Sequence, residues 1–236
     1  ATHVWLPNFA FSYLVKNVTL TEQDKISLST LKKIVNCSEP AHAIDMTRFI
    51  EKFMNHGLDP RSLCVCYALA ENVFAVSQSE GLKQTTWEGN KYLSCGRPIP
   101  GVSVVICKEG EDVTGQEAGS VMIKTSYEPY TNSSSDFYGY YNTGDIGFMK
   151  GDQLFIIGRS HDAFVSYGVN IYPDLIEYTV NDLTPVRDGR VVCFKSKEVN
   201  NGTHIPWICA ELVENSSVQE GDIKKQILKL VTDNHG

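Results

Sequence analysis

The spacing of apolar and polar residues changes twice along the chain. In residues 45 to 57, "DMTRFIEKFMNHG", the apolar positions Met46, Phe49, Ile50, Phe53 and Met54 recur at three- and four-residue intervals. That period places them on one face of a helix. Asp45 is positioned to cap its start and Gly57 to end it. "LKKIVNCSEP" before it reads as a strand running into a polar turn, and "SLCVCYALAEN" after it as a buried strand ending in a loop. Strand, helix and strand in succession predict an α/β arrangement with a parallel sheet. Ligands of such sheets bind beyond the carboxyl ends of the strands, so "CSEP" and "YALAEN" are candidate site loops.

From about residue 92 to 158 the pattern shortens. "GVSVVICKEG", "GSVMIKTS" and "GDQLFIIGR" are short strands divided by glycine and acidic turns, which predicts a small antiparallel barrel or sandwich. "YTNSSSDFYG" reads as a polar loop. Beyond 158, "AFVSYGVNIYP" leads into a helix, "DLIEYTVNDL", followed by strands "RVVCFKS" and "IPWICAELV". A last helix opens at Asp222 and carries Ile223, Ile227, Leu228, Leu230 and Val231. The expected fold class is α/β: a partial parallel sheet with helices plus a small antiparallel barrel, then a small α+β domain. The expected boundaries are 1–161, divided into 1–91 and 92–158, and 162–236.

Composition narrows the function. With 236 residues, 42% of them hydrophobic, the chain can bury a sizeable core. The net charge is −7 and no block of lysine or arginine appears, so nucleic acid is not an expected partner. No apolar run approaches the roughly 18 residues that a membrane-spanning helix needs. The seven cysteines form no zinc-like spacing, and Cys64-Val65-Cys66 is one residue short of a C-x-x-C pair. Alternation puts Cys64 and Cys66 on one side of their strand. They read as buried small apolar residues in a reducing cytoplasm. The opening "ATHVWLPNFAFSY" lacks Met and reads as the interior of a longer folded protein.

Three short stretches carry candidate chemistry. In "YALAEN", Tyr67 offers a ring for stacking on a flat base, and Glu71 a carboxylate for a phosphate-borne Mg²⁺. In "YNTGDIG", Asp145 can accept from two adjacent sugar hydroxyls, while Gly144 and Gly147 permit close backbone approach. Arg159 offers a fork of donors for a ribose or phosphate. Taken singly, each has a plainer reading: a buried strand with a solvated glutamate, an Asp-Gly turn, a surface arginine.

Together these stretches resemble the adenylate-forming superfamily of acyl-CoA synthetases, fatty acyl-AMP ligases and peptide synthetase adenylation domains. "YALAEN" is similar to its Tyr-Gly-x-Thr/Ala-Glu motif, and "YYNTGDIG" to its Tyr-x-Thr-Gly-Asp motif. "GRSHDAFVSYGVNIYPDLIE" is similar to its Gly-Arg-x-x-Asp hinge and the run that follows, and "NCSEP" to its Gly-x-Glu-Pro strand end. "PNFAFSYLV", "SEP", Ala70 in place of Thr and "LSCGRPIPG" look most like the fatty acyl-AMP ligase branch. The stretch between "SQSEG" and "YLSCG" is short for the loop insertion of that branch.

The resemblance implies an enzyme that uses ATP and Mg²⁺ to activate a carboxylate, a fatty acid on this branch, as acyl-AMP. The acyl group then passes to a carrier-protein thiol, or to CoA if the chain is an acyl-CoA synthetase. A non-catalytic binding module of the same fold is the third reading. Under the resemblance Tyr67 and Ala68 line the nucleotide, Asp145 and Arg159 hold its ribose, Glu71 ligates Mg²⁺ and Asp162 is the hinge of a mobile small domain. The family's Ser/Thr/Gly-rich phosphate loop and its C-terminal Gly-Lys lie outside what is seen here, and Ala68 replaces the motif glycine. The expectation is a C-terminal fragment, inactive alone, whose partner is the missing N-terminal part of the same polypeptide.

Overall fold

A computed structural model describes residues 1–21, 26–126, 138–197, 202–214 and 219–235. The first eight residues of "YTNSSSDFYG" lie outside them. The chain divides into two compact units, Ala1–Ile157 and Gly158–Gly236.

The first unit opens with β1 (His3–Leu6), α1 (Asn8–Asn17), β2 (Lys33–Asn36), α2 (Ala43–Phe53), β3 (Leu63–Ala68) and β4 (Ala75–Gln78). A hairpin of β5 (Gln84–Trp87) and β6 (Asn90–Leu93) fills the stretch up to "YLSCG", and β7 (Arg97–Pro98) follows. β1, β2 and β3 run parallel, but β4 and β7 join antiparallel, so the sheet β1-β2-β3-β4-β7 is mixed. Both faces of β3 are buried, which explains its nearly continuous apolar run. Leu63 and Val65 belong to a core with Phe11, Met46, Phe49 and Phe53, residues of α1 and α2. Cys64 and Cys66 join Val35 and Cys37 in a smaller cluster. All seven cysteines are free thiols.

α2 corrects two expectations. It begins after His42, and Asp45 sits inside the first turn, buried, where its Oδ2 accepts from Asn8 Nδ2 at 2.8 Å. A carboxylate there still suits the positive helix end, but the helix has no side-chain cap. It also stops at Phe53; Met54 begins a short 3₁₀ turn and is half exposed, and Gly57 ends that turn at φ 81°.

A second sheet follows, built from β8 (Val102–Lys108), β9 (Glu111–Asp112), β10 (Gly119–Thr125), β11 (Tyr141–Lys150) and β12 (Gln153–Arg159) in the order β12-β11-β10-β8-β9. Among the described residues it is open, with β12 and β9 at its ends, and the expected barrel does not close. β9 is two exposed acidic residues, too short and too charged to continue a ladder. The edge of β12 is covered by the other sheet's connection: Cys95 N donates to Leu154 O at 2.8 Å and Leu154 N to Gly96 O at 2.9 Å.

The second unit contains a hairpin of β13 (Phe164–Ser166) and β14 (Val169–Ile171), then α3 (Pro173–Asn181), the pair β15 (Val186–Lys195) and β16 (Pro206–Leu212), and α4 (Glu220–His235). Tyr167 and Gly168 turn the first hairpin with φ of 48° and 82°, as a two-residue turn between right-twisted strands requires. Phe164, Ile176, Val180, Val186 and Cys193 form its core. α4 begins at Glu220, two residues before Asp222. It buries Ile223 and packs Ile227 and Val231 on the core, while Leu228 stays 69% exposed. No helix among the described residues is long and apolar enough to cross a membrane.

Candidate functional site

The candidate residues Tyr67, Ala68, Glu71 and Asp145 belong to the first unit, and Arg159 and Asp162 to the second. Within the first unit the decisive local feature is an irregularity in β11. Its register with β10 pairs Gly147 with Gly119 and Ile146 with Ser120, then jumps to Asn142 opposite Met122. Thr143, Gly144 and Asp145 therefore stand opposite Val121 alone. This is a β-bulge, in which ladder bonds must be replaced by others. Thr143 Oγ1 donates to Val121 O at 2.9 Å and accepts from Asp145 N at 3.1 Å, while Asn142 Oδ1 accepts from Gly144 N at 2.9 Å. Gly144 takes φ 76°, which glycine adopts without strain. A Cβ on Gly147 would lie 2.4 Å from Phe155 O, so only glycine lets β11 and β12 approach there.

The bulge carries Asp145 into the interior, 4% exposed. There its Oδ2 accepts a hydrogen bond from the Tyr67 hydroxyl, from a strand 78 residues away in sequence. Burial, and after it the Asp145 charge, pushes the Tyr67 phenol well above its usual range. Tyr67 is thus a neutral donor at any physiological pH, fixing one oxygen of the carboxylate. Tyr67→Phe is expected to lower stability by about 1–3 kcal/mol, because a buried acceptor loses its donor while the ring packing is kept. A urea midpoint equal to wild type would show that the contact carries no weight.

Ala68 ends β3 opposite Ala75, where the register shifts again. Glu71 follows on a one-turn 3₁₀ helix, Ala70–Asn72. Leu69 N donates to Phe74 O at 2.8 Å and Asn72 Nδ2 to Ala75 O at 2.7 Å, which ties this turn to the strand ends. Glu71 is half-buried and makes no side-chain bond with the described residues. No three His, Cys, Asp or Glu side chains come together as a metal cage among the described residues. A single carboxylate suits Mg²⁺ only where phosphate oxygens and water complete the shell.

In the second unit Arg159 ends β12 exposed, and its carbonyl accepts from Ala163 N at 3.2 Å, closing a turn that contains Asp162. His161 Nε2 lies 3.5 Å from Asp162 Oδ1. Burial raises the carboxyl of Asp174 above its usual range; Asp162 adds to this and Arg159 opposes it.

Sequence reading missed one group. At the carboxyl ends of β1 and β2, Asn36 is fully buried and donates to Asn8 Oδ1 at 2.9 Å, which also accepts from His42 N at 3.1 Å. Asn36 Oδ1 has no partner among the described residues, a buried acceptor at the end of a parallel strand. The available signal was a lone asparagine inside the apolar run "KIVNC". Burial drives the pKa of His42 down to about 4, so this corner carries no imidazolium near neutral pH.

This geometry has known counterparts. Residues 1–127 match the family of AMP-binding enzymes, over more than half of the chain. The chain belongs to the AMP-binding enzyme family. It is 26% identical over 277 residues to the medium-chain-fatty-acid–[acyl-carrier-protein] ligase JamA of Moorena producens, covering 99% of this chain and 46% of that protein. It is 25% identical over 273 residues to the putative fatty-acid–CoA ligase FadD21 of Mycobacterium tuberculosis, covering 98% and 47%. Among solved structures, McyG A-PCP complexed with phenylalanyl-adenylate superposes with a TM-score of 0.79 at 26% identity, over 97% of this chain and 37% of that one. A structure from the fatty acyl-adenylate ligases of E. coli and L. pneumophila shares the fold, with a TM-score of 0.82 at 22% identity, over 98% and 47%. The chain spans about half the length of the curated relatives it matches. As an AMP-binding family member it has the family's α/β fold with additional antiparallel sheets, and its curated relatives include fatty acyl ligases.

Proposed function

We propose that this AMP-binding chain is part of an ATP-dependent ligase that joins a fatty acid to AMP and passes the acyl group to a carrier-protein thiol. The observation that carries the reading is the buried Asp145 carboxylate, framed by the bulge and fixed by Tyr67 near the end of β3. One oxygen is held by the phenol. The carboxylate as a whole is the acceptor that two ribose hydroxyls need.

The reaction would displace pyrophosphate in line from the α-phosphate of ATP by the fatty carboxylate, a step governed by charge neutralisation and positioning. Mg²⁺, when bound, would neutralise phosphate charge, and Glu71 is the residue of this chain that would ligate it. Tyr67 and Ala68 would line the nucleotide, with the Tyr67 ring near the adenine. Arg159 would reinforce the ribose contact. Asp162 would be the hinge of a mobile domain starting at residue 162, rotating between half-reactions. The seven free cysteines favour a reducing compartment, the cytoplasm.

JamA supports a carrier-protein acceptor, while the FadD21 name favours CoA as the second reading. ATP–pyrophosphate exchange with a series of fatty acids separates these questions from activation itself. Exchange is expected from the longest polypeptide containing this chain, which would include an N-terminal part, and not from residues 1–236 alone. Exchange by residues 1–236 alone would defeat the division of the site between the two parts. Absence of exchange in the longer polypeptide with every acid would defeat the ligase reading. Acceptor choice then follows from thioester formation with CoA or with a phosphopantetheinylated carrier.

A further inference from the structure

The first unit contains a cleft of about 390 Å³ that the adenylation reading does not use. It lies toward the amino end of β2, whereas Glu71 and Asn36 sit at carboxyl ends of the parallel strands. Its volume falls within the range of small-molecule sites. Lys33, Lys83 and Arg97 line it against one carboxylate, Glu80, in a chain whose net charge is −7. Lys33 and Lys83 form no ion pair with the described residues, so their charge is uncompensated at short range.

Arg97 forms an exposed ion pair, its Nε 2.6 Å from Asp152 Oδ2. Asp152 Oδ1 accepts from Gln153 Nε2 at 2.7 Å, and Gln153 Oε1 accepts from Ser94 Oγ at 2.9 Å. Ser94 is fully buried and also accepts from Gly96 N at 2.9 Å, which anchors the relay to the interior. The ion pair with Asp152 is exposed on both sides. The terminal nitrogens of Arg97 bond no described residue and are free to receive two oxygens of one group in a fork. Asp152 offsets part of the charge of Arg97, so the two lysines supply the net attraction and the arginine the geometry. Ser79, 2% exposed, also lines the cleft, and its Oγ accepts from Val65 N at 2.8 Å.

We propose that this cleft is a second anion site, which takes a small, multiply charged phosphate compound without a metal ion. The fork of Arg97 and the flanking Lys33 and Lys83 fit adjacent phosphate groups. A monoanion would satisfy only part of the charge.

The test titrates the 236-residue chain with sodium pyrophosphate by calorimetry in the presence of EDTA, which removes binding through Mg²⁺. One site is expected. Lys33→Ala/Lys83→Ala should weaken it at least tenfold, and Lys83→Gln alone about threefold, with unliganded melting temperatures unchanged. Lys229→Ala should leave it unaltered, since that exposed residue belongs to α4 of the second unit. Lys83 is exposed just before β5, so its variant keeps a folded protein available even if the double variant does not fold. Sodium sulfate should bind at least tenfold more weakly. No heat with wild type, wild-type affinity in Lys33→Ala/Lys83→Ala, loss of binding in Lys229→Ala, or equal affinity for sulfate would each overturn the assignment.

Discussion

Glu71→Gln is expected to slow acyl-AMP formation by the complete ligase about 10²–10³-fold, or roughly 2.7–4 kcal/mol of transition-state stabilisation. The amide keeps the size of the side chain but removes the charge that a hard cation prefers. Glu71 bonds no other described side chain, so the 3₁₀ turn that carries it is held by Leu69, Asn72 and Ala75 and not by the carboxylate. Unfolding should therefore be unchanged within about 0.5 kcal/mol, as for surface substitutions generally. Single-turnover acyl-AMP formation over a range of Mg²⁺ concentrations reads the effect. Higher Mg²⁺ should recover part of the rate if the loss lies in cation affinity. A wild-type rate at limiting Mg²⁺ would make Glu71 a solvated strand-end residue and nothing more.

Asp145→Ala should weaken nucleotide binding by the complete ligase roughly 10- to 150-fold, the equivalent of 1.5–3 kcal/mol for lost bonds to a charged acceptor. It acts on stability as well. Tyr67 is only 9% exposed, and removing the carboxylate strands its hydroxyl. The two effects can be separated. In stability, Tyr67→Phe and Asp145→Ala should be non-additive, because the double variant has neither a stranded donor nor a stranded acceptor. In affinity, Tyr67→Phe should cost less than Asp145→Ala, since the bulge still presents the carboxylate. Calorimetry showing unchanged ATP affinity in Asp145→Ala would remove the ribose role, whatever happens to the urea midpoint.

Much of this could be read from the chain. The period-3.6 run of Met46, Phe49 and Phe53 specified α2, and the alternation of Leu63, Cys64, Val65 and Cys66 specified a strand buried on both faces. These patterns are local consequences of 3.6 and 2 residues per repeat, so sequence alone carries them. The motif "YNTGDIG" singles out Asp145 as a candidate, because two glycines near a carboxylate are a local chemical signal.

What the sequence could not show depends on partners distant along the chain. Asp45 has the composition of a helix cap, but Asn8, 37 residues away, claims its carboxylate inside the first turn. Leu228 shares the apolar character of Ile227 and Val231, yet the direction from which the core approaches α4 leaves it in water. Short strands with acidic turns are the same in an open sheet and in a barrel; the two-residue β9 decided between them. Whether Asp145 sits on a loop or inside a strand turned on the register of β11 against β10. Its bond to Tyr67 required two sheets to meet at one point. Period and turn chemistry are properties of neighbours in sequence, whereas register and burial are set by the packing of elements that fold together only in three dimensions.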